Sequence, residues 1–324
     1  MKAIKQLKYG SFDELKLKEV PKPDPAENEI LIRVKASSVN FGNMAVVGGK
    51  PLISRFWSGL LKPKQQIPGS DVSGVVEKVG KNVTQFYPGD EVYGDLFSYK
   101  CGAYAEYALA TENLVILKPT NISFEEAAAI PQSGLVALQA LFNKGQIQPG
   151  YKVLIYGASS GNGTFAVQIA KSFGAEVTAV CSTGNIELVK SLGADYVIDY
   201  KKEDFLNYDR KYNLILGMSG YRSIYDYKNA LTDEGIYVSV GGDMKQVNEG
   251  MMLGPLLSIN SKKTLTFLYQ RPSQKDLLFM KEMIESGKIK PVVDRTFLLE
   301  ETAEALKYYS LGHSKGKVII QVNY

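Results

Sequence analysis

The stretch Gly157–Gly163 reads Gly-Ala-Ser-Ser-Gly-Asn-Gly, seven small residues in succession. The chemistry open to such a turn is anion binding. The first N–H groups of a helix have no intrahelical acceptor, and the helix dipole favours negative charge beside them. A pyrophosphate can approach only where no bulky side chain stands in the way. The fingerprint that achieves this between a strand and a helix is G-x-G-x-x-G. Against it this chain has Ala158, Ser160 and Gly163, with Gly161 inside. Glycine spacing alone leaves an ordinary small-residue loop as the competing reading, so the surrounding elements must decide.

Those elements lie in Tyr151–Tyr200. Val153–Tyr156 is a continuous apolar run, as expected of a parallel strand covered on both faces. An apolar-periodic helix, Phe165–Phe173, follows the turn. A strand at Val177–Val180, a helix at Ile186–Leu192 and a strand at Tyr196–Ile198 complete a βαβαβ half of a doubly wound α/β fold. In that context Ser159, Ser160, Gly161, Asn162 and Gly163 are expected to hold a dinucleotide. An acid closing the second strand would hydrogen-bond a ribose 2′-hydroxyl. The chain instead offers Cys181, Ser182, Thr183, Gly184 and Asn185, with no acid before Glu187. Hydroxyls and an amide tolerate a 2′-phosphate, and Tyr200 or Lys201 adds a donor. The expectation is NADPH rather than NADH, contacted by Ser182, Asn185 and Tyr200.

The alternation continues with strands at Tyr212–Leu216, Ile236–Val240 and Leu265–Tyr269 and a helix at Ser223–Leu231. Ligands of such sheets bind outside the carboxyl ends of the strands. That rule adds Gly217, Met218, Ser219, Gly241 and Phe267 to the expected cofactor contacts. A capping-box pattern, Ser123-x-x-Glu126, opens the segment before the first cofactor strand, and Ser273-x-x-Asp276 opens a later helix. The final strand is expected at Val318–Val322.

Composition excludes several classes. The 38 basic and 34 acidic residues leave a net charge of +4, too little for a nucleic-acid-binding protein. Cys101 and Cys181 stand eighty positions apart, which gives no disulfide framework and fits a reducing compartment. The N-terminal residues lack the apolar core of a signal peptide, and no apolar run approaches the roughly 20 residues of a membrane span. The expectation is a cytoplasmic enzyme.

The first 118 residues or so are β-rich and dense in turns, which suggests a compact barrel-like domain. Here the strings KASSVNFGNMAVVGG, IPGSDVSGVVEKVGKNVTQFYPGDEVYG and GAYAEYALA carry a resemblance. Together with GASSGNG, CSTGN, LGADYVIDY and GHSKGKVII, they resemble the medium-chain dehydrogenase/reductase superfamily, most closely its zinc-free quinone oxidoreductases. The resemblance implies a GroES-like domain, residues 1–122 and 262–324, and a Rossmann domain, residues 123–261. It implies cofactor contacts from His313, Lys315 and Lys317, and a homodimer. Where relatives touch the nicotinamide with Thr, this chain has Val136.

Zinc-dependent members use a Cys, a Gly-His-Glu and a second Cys. This chain places Asn40, then Gly69-Ser70-Asp71, and Gln132 there, and has one histidine in all, His313. Amides and a hydroxyl do not hold zinc, so no metal is expected. The expected reaction is hydride transfer from NADPH to a quinone or an α,β-unsaturated carbonyl. Asn40, a backbone N–H or a tyrosine such as Tyr104 would stabilise charge growing on the acceptor oxygen. The alternatives are a 2-alkenal or enoyl reductase on the same scaffold, and a non-enzymatic scaffold that senses NADPH. The segment Met44–Lys64, with Trp57 and several basic residues, is read as a lid or as a surface patch.

Overall fold

The computed structural model describes residues 1–49 and 55–323, without the side chain of Trp57. Residues 50–54 and that side chain, part of the expected lid or patch, lie outside the described residues. Two compact units form. One is Met1–Gln132 with Pro272–Glu285 and Pro291–Tyr324, and the other is Ser133–Arg271 with Ser286–Lys290. Both main divisions fall about ten residues later than the expected 122 and 262. The first shifts because Ala128 and Ala129 are buried with Ala36 and Ile319 of the first unit. The second shifts because Gln139 Oε1 accepts from Arg271 N at 3.1 Å, holding that segment to the second unit.

In the first unit, β1 (Lys2–Lys5) and β2 (Lys16–Glu19) form a two-stranded sheet. A seven-stranded sheet is built from β3 (Glu29–Ser38), β4 (Asp71–Val79), β5 (Glu91–Asp95), β6 (Tyr107–Thr111) and β7 (Val115–Leu117). The chain's last two strands, β14 (Val293–Leu298) and β15 (Lys317–Gln321), complete it. Its order is β14-β15-β3-β4-β5-β7, with β6 also paired to β3. The ten residues of β3 are the centre of this sheet, antiparallel to β15, β4 and β6. Ile30, Ile32, Val34, Val72 and Val318 are fully shielded in its core.

The second unit carries β8 (Lys152–Tyr156), β9 (Glu176–Cys181), β10 (Tyr196–Asp199), β11 (Tyr212–Gly217), β12 (Leu231–Ser239) and β13 (Thr264–Phe267). All pairs are parallel, in the order β10-β9-β8-β11-β12-β13. Val153, Leu154, Ile155, Leu214, Ile215 and Leu216 have no solvent exposure, which is why these strands read as unbroken apolar runs. An aromatic pile backs the sheet: Tyr227 stacks on Tyr237 at 4.4 Å and on Phe205 at 5.9 Å between ring centroids. Strand order reverses between β8 and β11, so the crevice for a ligand opens at their carboxyl ends.

The capping box at Ser123 is present: Glu126 N donates to Ser123 Oγ at 3.2 Å, and Ser123 N to Glu126 Oε2 at 3.0 Å. Ser123→Ala is expected to cost about 1 kcal/mol, seen as a lower urea midpoint at unchanged slope. An unmoved midpoint would assign the helix Phe124–Ala128 to packing alone.

Candidate cofactor and active site

The turn after β8 closes tightly on β9. The N–H groups of Gly157 and Ala158 both donate to Val180 O, at 3.0 and 3.1 Å. Ser160 then caps the helix Gly161–Ser172: its Oγ accepts from Gly163 N at 3.1 Å and lies 2.8 Å from Gly157 O, to which it donates. The helix begins at Gly161, four residues before the expected Phe165, because the small residues of the turn are already helical. A Cβ at Gly163 would stand 2.3 Å from Gly157 O, so only glycine lets the helix start this close to the strand end. Gly157 itself has φ +85° and is packed against Ser219, where a Cβ would meet the Ser219 Cβ at 2.7 Å. Within the described residues, the N–H groups of Ser159, Gly161 and Asn162 make no hydrogen bond. These three donors and the helix dipole are what a pyrophosphate requires.

The loop after β9 is tied to this turn. Asn185 Nδ2 donates to Ser159 Oγ at 2.8 Å and to Ser182 Oγ at 3.2 Å. Its Oδ1 is buried with no partner among the described residues. A buried orphan acceptor is costly unless a ligand supplies a donor. Sequence reasoning missed Asp199, the acid that ends β10. It accepts from Thr183 Oγ1 at 2.6 Å and from Lys201 N at 3.1 Å, and the Thr183 hydroxyl holds its carboxyl below the ordinary range. The signal was present as the last residue of a strand in LGADYVIDY. Tyr200 is half exposed and lines a cavity of about 360 Å³ with Tyr156, Lys201, Lys202 and Arg222.

Gly217, Met218, Ser219 and Gly241 assemble at the neighbouring strand ends. Met218 N donates to Tyr156 O at 2.9 Å, and Gly241 N to Gly217 O at 3.2 Å, linking the ends of β8, β11 and β12. Phe267 closes β13, the sheet's edge strand, beyond β11 and β12 from the turn.

In the first unit the expected chemistry-bearing residues occupy different roles. Asp71, fully buried at the start of β4, accepts from Ser38 Oγ at 2.5 Å, Asn40 Nδ2 at 2.9 Å and Gln132 N at 3.1 Å. Lys317, 2% exposed, lies 3.7 Å from Asp71 and donates to Asn40 Oδ1 and to Val39 O. Burial pushes the Lys317 ammonium down, and Asp71 opposes this. Lys317, expected as a cofactor contact, is buried with its ammonium engaged inside the unit. Asn40 bridges the two charges, so both ends of its amide are engaged. Tyr104 is also not an accessible donor: it is fully buried, its hydroxyl 3.1 Å from Ser38 O and 3.3 Å from Asn43 Oδ1. His313 and Lys315 are exposed in the turn before β15. Among the described residues no three His, Cys, Asp or Glu side chains group to hold a metal ion.

Residues 26–120 match the family model of the alcohol dehydrogenase GroES-like domain, and residues 192–320 that of the zinc-binding dehydrogenases. The 2-methylene-furan-3-one reductase of Solanum lycopersicum is 36% identical over 99% of this chain and 79% of its own length. The chain belongs to the medium-chain dehydrogenase/reductase superfamily. Within it, the chloroplast envelope quinone oxidoreductase homolog of Arabidopsis thaliana is 33% identical, with 99% of each chain covered. The solved quinone oxidoreductase from Coxiella burnetii superposes with a TM-score of 0.87 at 29% identity, covering 100% of this chain and 99% of that one. The doubly wound sheet and the GroES-like domain expected from the sequence are those of this superfamily.

Lys317→Met should lower unfolding free energy by about 3–5 kcal/mol, since it leaves the Asp71 carboxylate buried without its cation. Chemical denaturation measures this. A loss within about 0.5 kcal/mol would show that the hydrogen bonds from Ser38, Asn40 and Gln132 suffice to hold Asp71.

Proposed function

We propose that this member of the superfamily transfers hydride from NADPH to a quinone or an α,β-unsaturated carbonyl, without a metal. The observation that carries the cofactor reading is the joint of turn and loop: three open N–H donors at Ser159, Gly161 and Asn162 beside the orphaned Asn185 Oδ1. When bound, the reduced nicotinamide supplies the hydride. The residues present hold and orient it. The open donors and helix N-terminus meet the pyrophosphate, Gly163 permits its approach, and Asn185 and Ser182 meet the ribose.

Preference for the 2′-phosphate rests on charge. No carboxylate closes β9, and the acids nearby are paired with cations: Asp199 with Lys202 at 3.9 Å, and Asp204 with Arg222. Lys201 lines the cavity beside Tyr200 as a cation outside these pairs, alongside Glu203. The conjugated acceptor is supported by relatives named for quinones and for a furanone. Conjugation spreads the charge that arrives with hydride, so the reaction does not need the Lewis acid that a simple ketone demands. The zinc-free reading is supported by the first unit, where Ser38, Asn40 and the Gln132 N–H donate to Asp71 and the Lys317 ammonium provides the cation. Two free thiols, Cys101 and Cys181, support a cytoplasmic location. No helix among the described residues is long and apolar enough to cross a membrane.

A homodimer is part of the same proposal. β13 has no partner on its outer edge among the described residues. Ser258 Oγ accepts from Leu265 N at 2.8 Å and so fixes the segment Gly254–Ser258 to that strand. Met251, Met252, Leu256 and Ile259 are more than half exposed there. An open edge with apolar flanks invites a second copy.

Titration by fluorescence should give NADPH binding at least about tenfold tighter than NADH, because a 2′-phosphate gains one or more charge-assisted hydrogen bonds. Equal affinities would remove the 2′-phosphate from the account and leave the fold intact. Light scattering of Leu256→Glu should give half the mass of the unaltered protein; a monomer before substitution would contradict the dimer.

A further inference from the structure

The first unit has a second built feature far in sequence from the residues above. A cavity of about 410 Å³ is lined by Lys5, Lys64, Lys100, Gln65 and Gln66, and by no acid. Lys100 is neutralised by Glu29, which accepts from it and from Tyr99. Lys5 and Lys64 have no ion-pair partner among the described residues. Lys5 also stands directly opposite Lys16 in the β1–β2 register, a like-charge pair that is unfavourable in isolation. Immediately before Lys64, the bend after Gly59 presents Leu60 and Leu61, 62% and 89% exposed, then Lys62. Phe56 is 76% exposed and Leu7 60%. These segments lie side by side, because Gln6 N donates to Gln66 O at 2.7 Å and the Tyr9 hydroxyl to Gly59 O at 2.7 Å.

Apolar tips beside unpaired lysines are the composition of a lipid-contacting surface, where side chains enter the acyl boundary and cations meet anionic headgroups. We propose that this surface docks the protein on bilayers containing anionic phospholipid, with Phe56, Leu60 and Leu61 entering the interface and a headgroup phosphate held by Lys5 and Lys64. A second copy is the poorer occupant, since a two-fold contact would bring Lys5, Lys16, Lys62 and Lys64 against themselves. The contact is peripheral. It depends on charge and exposed apolar area and involves no membrane-crossing helix.

The test is co-sedimentation of the full chain with phosphatidylcholine vesicles, with and without phosphatidylserine, at low and high salt. Binding should require phosphatidylserine and fall with salt. Lys62→Gln with Lys64→Gln should weaken it about 25-fold, about fivefold per charge. Leu60→Ser with Leu61→Ser should weaken it at least about tenfold while keeping every charge. Both variants should keep the thermal midpoint and the NADPH oxidation rate with a water-soluble acceptor. Binding equal on neutral vesicles, absent on both, or unmoved by either variant overturns the proposal. So does a vesicle-independent change in molar mass, which would assign the surface to a second copy. A raised KM for soluble acceptors without vesicle binding also overturns it, because the segment would then act as a lid.

Discussion

The absence of a side chain at Gly163 is the constraint on which the nucleotide site depends. Because its α-carbon can lie against Gly157 O, the helix starts directly over the end of β8. Ser160 then has both a donor and an acceptor within reach, and it locks the turn with one hydroxyl. The N–H groups of Ser159, Gly161 and Asn162 are left over, without a partner among the described residues. A binding site arises here from what the backbone cannot satisfy internally, with few side chains involved.

The first unit solves the opposite problem. Asp71 is a fully buried carboxylate, and its burial would be prohibitive without Lys317 and three hydrogen-bond donors around it. The cluster draws on β3, β4, β15, the start of the helix Phe41–Gly48 and the segment before Ser133. It therefore ties the ends of the chain's first and last pieces together. Asn40 through its amide and Gln132 through its backbone N–H serve this buried joint.

Much of this was legible in the sequence. The six parallel strands were visible as apolar runs, and the turn, the capping boxes and the missing acid after β9 lay where local pattern is informative. The first turn of the helix is invisible to periodicity, because Gly161, Asn162 and Gly163 carry no apolar side chain. Asn40, Tyr104 and Lys317 stand out in the sequence as polar residues in a β-rich unit, but the buried contacts they make do not. Asp71, the partner of Asn40 and Lys317, is 31 residues from the first and 246 from the second, and no local rule couples such positions. The chemistry of Asn185 is plain in the sequence, whereas its bond to Ser159, which joins the loop to the turn, depends on the register of β8 and β9.

The central claim is that a hydride leaves the nicotinamide bound at this turn and enters a conjugated acceptor. The most direct measurement uses NADPH deuterated at the nicotinamide C4 with an α,β-unsaturated ketone, and locates the label in the product by NMR. The account predicts deuterium on the β-carbon, with solvent hydrogen on the α-carbon. Product without label, or cofactor bound and never oxidised by any conjugated acceptor, would contradict it.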